Sequence, residues 1–259
     1  MDTIEEWTRP YFTQPLYNPL VLVCIHGEFD ADFNIHGQDY QLSEIPEGIA
    51  IHKFGPDAHP EIIASYLTGN LWETLQQENP MLAKQIEHCP ECYIIKGEVA
   101  DSSSLDYLRN VNGLIAYLLD HGGISICDPQ GLIFVGKEEW LSRFFRPHAP
   151  VPLEHVMIIY SEEDGGLWYH TRGLRKFGRP DLSLREVTSE YNVAVIELFK
   201  RLILYQALGG VIEDGRFVTL DSLPDGMWCK NKGDFDDFDF NNRHIEIHWK
   251  KVALWEGID

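Results

Sequence analysis

The chain has 259 residues, 44% of them hydrophobic, and a formal net charge of -20 from 21 basic and 41 acidic side chains. A chain of this size buries roughly 70–75% of its unfolded surface and needs no disulfide or metal staple, and its composition is far from that of a disordered chain. The acidic balance speaks against nucleic acid or an anionic membrane as a partner, because neutralising phosphate requires a basic face; it permits a basic protein partner and is accounted for equally by simple solubility.

Five cysteines, an odd number without a dense framework, point to a reducing compartment. The opening MDTIEEWTRPYF lacks a cationic segment followed by an apolar run, and no apolar run reaches the roughly 18–20 residues that span a bilayer. The expectation is a cytoplasmic protein with no cofactor.

Residues 20–26 (LVLVCIH), bounded by Pro19 and Gly27, predict a buried strand. Strand-like pieces follow at 33–35 and 48–54. Pro60 suits a first helical position, and Ile63, Leu67, Leu71 and Leu75 recur at helical spacing until Asn79-Pro80 stops the helix. Residues 92–99 predict the next strand. Ser103 or Ser104 caps a helix to about His121, ended by Gly122-Gly123. A hairpin at 124–135 turns on Asp128-Pro129-Gln130-Gly131, the residue order of a type I turn. A short helix at 137–145 follows.

Residues 146–152 (RPHAPVP) hold three prolines. They bend a single α+β unit, or join two lobes at 1–145 and 153–259. A second hairpin spans 154–171. Ser189 caps a long helix to about Leu208, with Val195, Phe199, Leu202 and Ile203 facing the core and an apolar arc wide enough to predict near-complete burial. Short strands lie near 217–220. Residues 243–252 alternate, with Ile245, Ile247 and Trp249 on one face and His244, Glu246, His248 and Lys250 on the other, predicting a half-buried strand. Hairpins imply antiparallel pairing, so the fold class is α+β, with helices packed on antiparallel or mixed sheet.

Two stretches stand out. Residues 168–181 (WYHTRGLRKFGRPD) are strongly basic on an acidic chain, and 234–248 (DFDDFDFNNRHIEIH) are rich in carboxylates, amides and imidazoles. Together with the GGISICDPQG hairpin, the HTRGLRKFGRPDLS and DFDDFDFNNRHIEI motifs resemble a bacterial family of proteins of unknown function. The resemblance covers roughly two thirds of the chain and implies a soluble α+β bacterial protein and no reaction.

Arg172, Arg175 and Arg179 can present guanidinium forks to a carboxylate or phosphate, or pair with the chain's own carboxylates, notably Asp181 and those at 234–239. Gly173 and Gly178 allow a sharp turn or a ligand's approach. The expectation is one neighbourhood holding His170, Arg172, Arg179, Asp181, Asn241, Asn242 and His244, and these residues together with Arg175 and Glu246 are the candidate ligand-binding set. His244, Glu246 and His248 share a strand face and form a conceivable metal set, though Lys250 continues that face and suggests a merely solvated surface. The CxxC at Cys89 and Cys92 has no second pair to complete a zinc site and precedes a strand, the wrong order for a thioredoxin-type motif. The acidic run misses the EF-hand spacing and reads as an ordered loop with its phenylalanines tucked inward. The leading functional expectation is a non-catalytic binding protein engaging a protein partner, with an immunity-like role against a basic toxin as one version. The alternative is an enzyme of unknown class acting on a small anion, with histidine as acid/base and arginine as clamp.

Overall fold

The computed structural model describes residues 4–30, 37–56, 59–146 and 148–249; the strand expected at 33–35 lies outside them, as does the end of the 243–252 segment. Two sheets organise the α+β fold. The first holds β1 (Leu20–Gly27), β2 (Ile49–Phe54), β3 (Glu91–Glu98), β4 (Gly123–Asp128) and β5 (Ile133–Gly136) in the order β2-β3-β1-β4-β5, antiparallel throughout. The apolar run of β1 places it at the centre, where both faces are covered. The second holds β6 (Met157–Glu163), β7 (Gly166–Arg172), β8 (Asp181–Val187), β9 (Phe217–Val218), β10 (Met227–Lys232) and β11 (His244–His248) in the order β6-β7-β8-β11-β10-β9. Its one parallel pair is β8 with β11.

Helices cover these sheets unequally. Two short helices, α1 (Pro60–Ser65) and α2 (Gly69–Glu78), replace the single one expected. The Ser65 and Thr68 hydroxyls donate to the Ile62 and Ser65 carbonyls, competing with the helical ladder. Asn79 then ends α2 and caps α3 (Pro80–Glu87), its side chain accepting from Leu82 N, with Pro80 in the first turn. After α4 (Asp106–Asp120), α5 (Lys137–Phe144) and α6 (Pro152–His155), the last helix is α7 (Asn192–Ala207).

Burial separates α4 from α7. Every residue of α4 from Tyr107 to Leu119 is buried, because the helix packs on β1 and β4 on one side and Tyr107 reaches the Lys176 carbonyl on the other. Near-complete burial was expected instead for α7. That helix buries Val195, Leu198, Phe199 and Ile203 but leaves Val193, Glu197 and Arg201 exposed, so it is an amphipathic surface helix. Nor does Ser189 cap it: Ser189 opens a 3-10 turn, and Tyr191 precedes the helix without a side-chain cap.

One continuous apolar cluster joins Val21, Val23 and Ile25 of β1, the buried face of α4, Leu182 and Leu184 of β8, and Ile245 and Ile247 of β11. A second, smaller cluster lies on the other face of the first sheet. There Cys24, Cys92 and Cys127 pack with Ile94 and Phe134 against Trp72, Leu75, Leu82 and Ile86. Cys92 of the CxxC points into that cluster, whereas the half-buried Cys89 donates to the Gln85 carbonyl of α3. All five cysteines are free thiols.

Candidate functional site

The basic stretch leaves β7, makes a 3-10 turn at Leu174–Phe177 and enters β8. Its two glycines permit the turn. Gly173 has φ 122°, and a Cβ there would lie 2.4 Å from the His155 carbonyl; Gly178 has φ 65° and would place one 2.1 Å from the Tyr17 carbonyl. Both positions serve close packing against the chain itself.

The acidic stretch connects β10 to β11. Its carboxylates shape their own loop: Asp234 Oδ1 accepts from Asp236 N at 2.9 Å, and Asp237 Oδ1 from Asp239 N at 3.0 Å and Phe240 N at 3.3 Å. Such side-chain turns fix the backbone locally. Phe240 is buried and Phe235 half-buried, as the inward expectation requires, but Phe238 is 95% exposed. The two turns rotate that one ring outward.

The stretches meet where β8 and β11 run side by side, with His244 opposite Asp181. Asp181 is fully buried. Its Oδ1 accepts from the Thr171 hydroxyl at 2.8 Å and from Leu174 N at 3.3 Å, and its Oδ2 from Asn242 Nδ2 at 2.7 Å. Burial pushes its pKa up to about 6, against these hydrogen bonds and the Arg172 charge, which favour the carboxylate. Asn242 also donates to the Arg179 carbonyl at 3.0 Å and so ties the two stretches together.

The arginines find partners other than those expected. Arg172 Nη1 donates to the Asp239 carbonyl at 2.8 Å, and Arg175 Nη1 to the Asn241 carbonyl at 2.6 Å and the Phe235 carbonyl at 3.4 Å. The Arg175 guanidinium also lies over the Phe235 ring at 4.9 Å. Backbone oxygens, not the carboxylates of 234–239 or Asp181, receive these hydrogen bonds, while Asp234 and Asp237 each use Oδ1 in turns of their own loop and Asp236 and Asp239 lie exposed. Arg179 shares only its backbone with the neighbourhood. Its guanidinium points into the interior, donating to Asp101 Oδ2 at 2.7 Å and to the carbonyls of Gly178, Gly209 and Gly210. Arg9 grips the other Asp101 oxygen, so two fully buried guanidinium groups share one carboxylate. Lys176 forms a further buried pair with Asp128 of the first sheet.

Both histidines stand beside this arrangement. His170 stacks on Trp168 at 4.1 Å and meets Phe240 edge-on at 5.7 Å; burial, helped by the Arg172 charge, lowers its pKa to about 4. His244 stacks on the other side of Phe240 at 4.2 Å, with burial lowering its pKa against the opposing pull of Asp237. Glu246 lies one step further along β11, opposite Ser183, and pairs with Lys232. His248 Nε2 is 3.1 Å from Glu246, and its ring stacks on Trp228 at 4.4 Å. Among the described residues no group of three or more His, Cys, Asp or Glu is disposed to hold a metal ion.

A cleft of about 310 Å³ opens between the stretches and the first sheet. Arg172, Arg175, Asp181, Asp236 and Asn241 line it on one side, and Leu20, Leu22, Pro129 and Gln130 on the other, with Phe235 and Phe240 beside them. Gln130 continues the β1 edge, its side chain accepting from Leu22 N and donating to the Leu20 carbonyl, both at 3.0 Å. Periodicity signals none of this second wall; the type I turn signal locates Gln130 but not what its side chain pairs with. His170, Arg179, Asn242, His244 and Glu246 line no wall of this cleft. A second cleft of the same volume lies across the 233–243 segment, where Glu213 and Asp214 face Lys232 and Arg243. Comparison with family models, with curated proteins and with solved structures finds no match.

Proposed function

We propose that this chain is a non-catalytic binding module that engages a basic protein partner through the 234–242 loop. The observation that carries the reading is Phe238, 95% exposed between two phenylalanines that anchor the loop from inside. Asp236 and Asp239 flank it, exposed like Asp234, so the loop offers an aromatic anchor within a ring of carboxylates. Arg172 and Arg175 hold the backbone beneath it. A loop already ordered loses less entropy on docking, and a central aromatic with a charged rim is the usual anatomy of a binding hot spot. An immunity-like protein that blocks a basic toxin fits this description. Catalysis is less well supported, because the imidazoles suited to acid/base work are stacked on Trp168 (His170) and Phe240 (His244) and line no wall of the Asp181 cleft, and both Asp181 oxygens are engaged.

A photo-crosslinking residue in place of Phe238, with a control at the exposed Val193 of α7, tests the reading in the native cell. The expected result is one basic polypeptide captured from position 238 and none from 193, with capture reduced when Asp236 and Asp239 become Asn. Phe238→Ala is expected to weaken the isolated complex by roughly 2 kcal/mol, about 30-fold in Kd. Equal capture from both positions, or capture indifferent to the two aspartates, overturns it.

A further inference from the structure

The guanidinium groups of this chain divide by what neutralises them. Arg9 and Arg179 meet Asp101, Arg109 meets Asp106, Arg143 meets Glu139 and Glu154, Arg185 meets Glu163, and Arg201 meets Glu197. Arg146, Arg216 and Arg243 lie exposed, where water solvates them. Arg172 and Arg175 fit neither group. Both are half-buried, and among the described residues neither forms an ion pair, in a chain with 41 acidic side chains. Arg172 Nε is buried and donates to no atom among the described residues. Each group uses Nη1 on a loop carbonyl, and neither Nη2 hydrogen-bonds a described residue.

A partly desolvated cation without a counter-charge is unfavourable until an anion arrives. A pair of such forks side by side suits the planar geometry of a carboxylate. The cleft next to them has about 310 Å³, at the low end of the roughly 300–1,000 Å³ typical of small-molecule sites. Its far wall is apolar, from Leu20 and Leu22 with the ring of Phe235 beside them. Asp181 lines the cleft and feels the Arg172 charge, but its oxygens accept from Thr171, Leu174 and Asn242 and from neither arginine. Asp236 lies exposed at the rim and forms no ion pair among the described residues. The second cleft differs on this point, because its Lys232 already pairs with Glu246 and its Arg243 is exposed to solvent.

From this contrast we infer that the cleft binds a small organic carboxylate, its anionic head held by Arg172 and Arg175 and its apolar body lying on Leu20 and Leu22. This site is separate from the docking role of Phe238, though it shares the inner side of the same loop.

The test is calorimetric titration of the full chain with straight-chain monocarboxylates from acetate to octanoate, and separately with inorganic phosphate. Saturable binding is expected, tightening about fourfold per added methylene until the apolar wall is covered, with phosphate weaker than the longer acids. Arg172→Gln with Arg175→Gln should abolish binding. Leu22→Trp, which fills the cleft and leaves both arginines in place, should do the same. On the unmodified protein, the amide resonances of Leu20, Leu22 and Gly173 should shift with the longest acid, a readout that does not depend on any variant folding. Phe238→Ala should bind the acids as the parent does, so loss of the docking role and loss of this site are read separately. No saturable binding, resonance shifts confined to other regions, or phosphate binding as tightly as octanoate overturns the inference.

Discussion

Arg179 and Arg175 leave the same short basic stretch and end in opposite circumstances. The Arg179 guanidinium is fully buried, and every nitrogen has an acceptor, one of them the Asp101 carboxylate that it shares with Arg9. Arg175 is half-buried, held by carbonyl dipoles and an aromatic face, with no ion pair among the described residues. Complete burial demands complete neutralisation, because an unpaired charge in the interior is among the most costly features a fold can carry. Partial burial relaxes that demand and leaves charge available to a ligand. One stretch therefore supplies both a structural lock and an open recognition element.

The strongest way to break the contrast is at the lock. Asp101→Ala leaves Arg9 and Arg179 facing each other without their shared counter-charge, and also removes the acceptor for Leu16 N. A loss of about 3–5 kcal/mol is expected in urea denaturation; a loss below about 1 kcal/mol would show that the two guanidinium groups are not buried as described.

Acid sharpens the contrast at the floor of the cleft. Asp181 has a folded pKa of about 6, above its unfolded value near 4, so the folded state binds the proton more tightly. Its charged form is therefore a cost at neutral pH, and this cost is relieved as pH falls from about 7 towards 4. The buried His26 and His170, each lowered to about 4, act in the opposite sense over the same window, since the unfolded chain takes up their protons first. Comparing the parent with Asp181→Asn cancels the histidines. The parent should gain about 2–3 kcal/mol on the variant between pH 7 and pH 4. A pH-independent difference would refute the raised carboxyl.

The smallest effect belongs to Arg175. Arg175→Gln should cost less than about 1 kcal/mol in global stability, yet hydrogen exchange at 234–242 should quicken measurably while exchange at 178–182 stays unchanged. Equal quickening in both segments would mean that lock and loop are one unit.

Much of this architecture is legible along the chain. The apolar run of β1, the Asp128-Pro129-Gln130-Gly131 turn and the alternation of β11 each follow from patterns within a few residues, because strand period and turn chemistry are local. The meeting of the basic and acidic stretches is legible too, from charge complementarity. Its atoms are not. Asp234 and Asp237 are committed to turns within their own loop, and the arginines receive carbonyls instead of carboxylates. Helix burial is not legible either: α7 has the wider apolar arc, yet α4, carrying Arg109, Asn110 and Asn112, is the one enclosed. An arc states how much surface can be buried, and neighbouring elements decide how much is.

The sequence alone determined the central strands and the two long helices, the α+β class and the identity of the two polar stretches, since these depend on periodicity, turn residues and charge along a continuous chain. Tertiary structure decided that Arg179 meets Asp101, that Leu20, Leu22 and Gln130 wall the cleft, and that Phe238 faces outward. Those outcomes join residues far apart in the chain. They depend on which groups compete for each partner once burial makes every unpaired charge and every unpaired carbonyl costly.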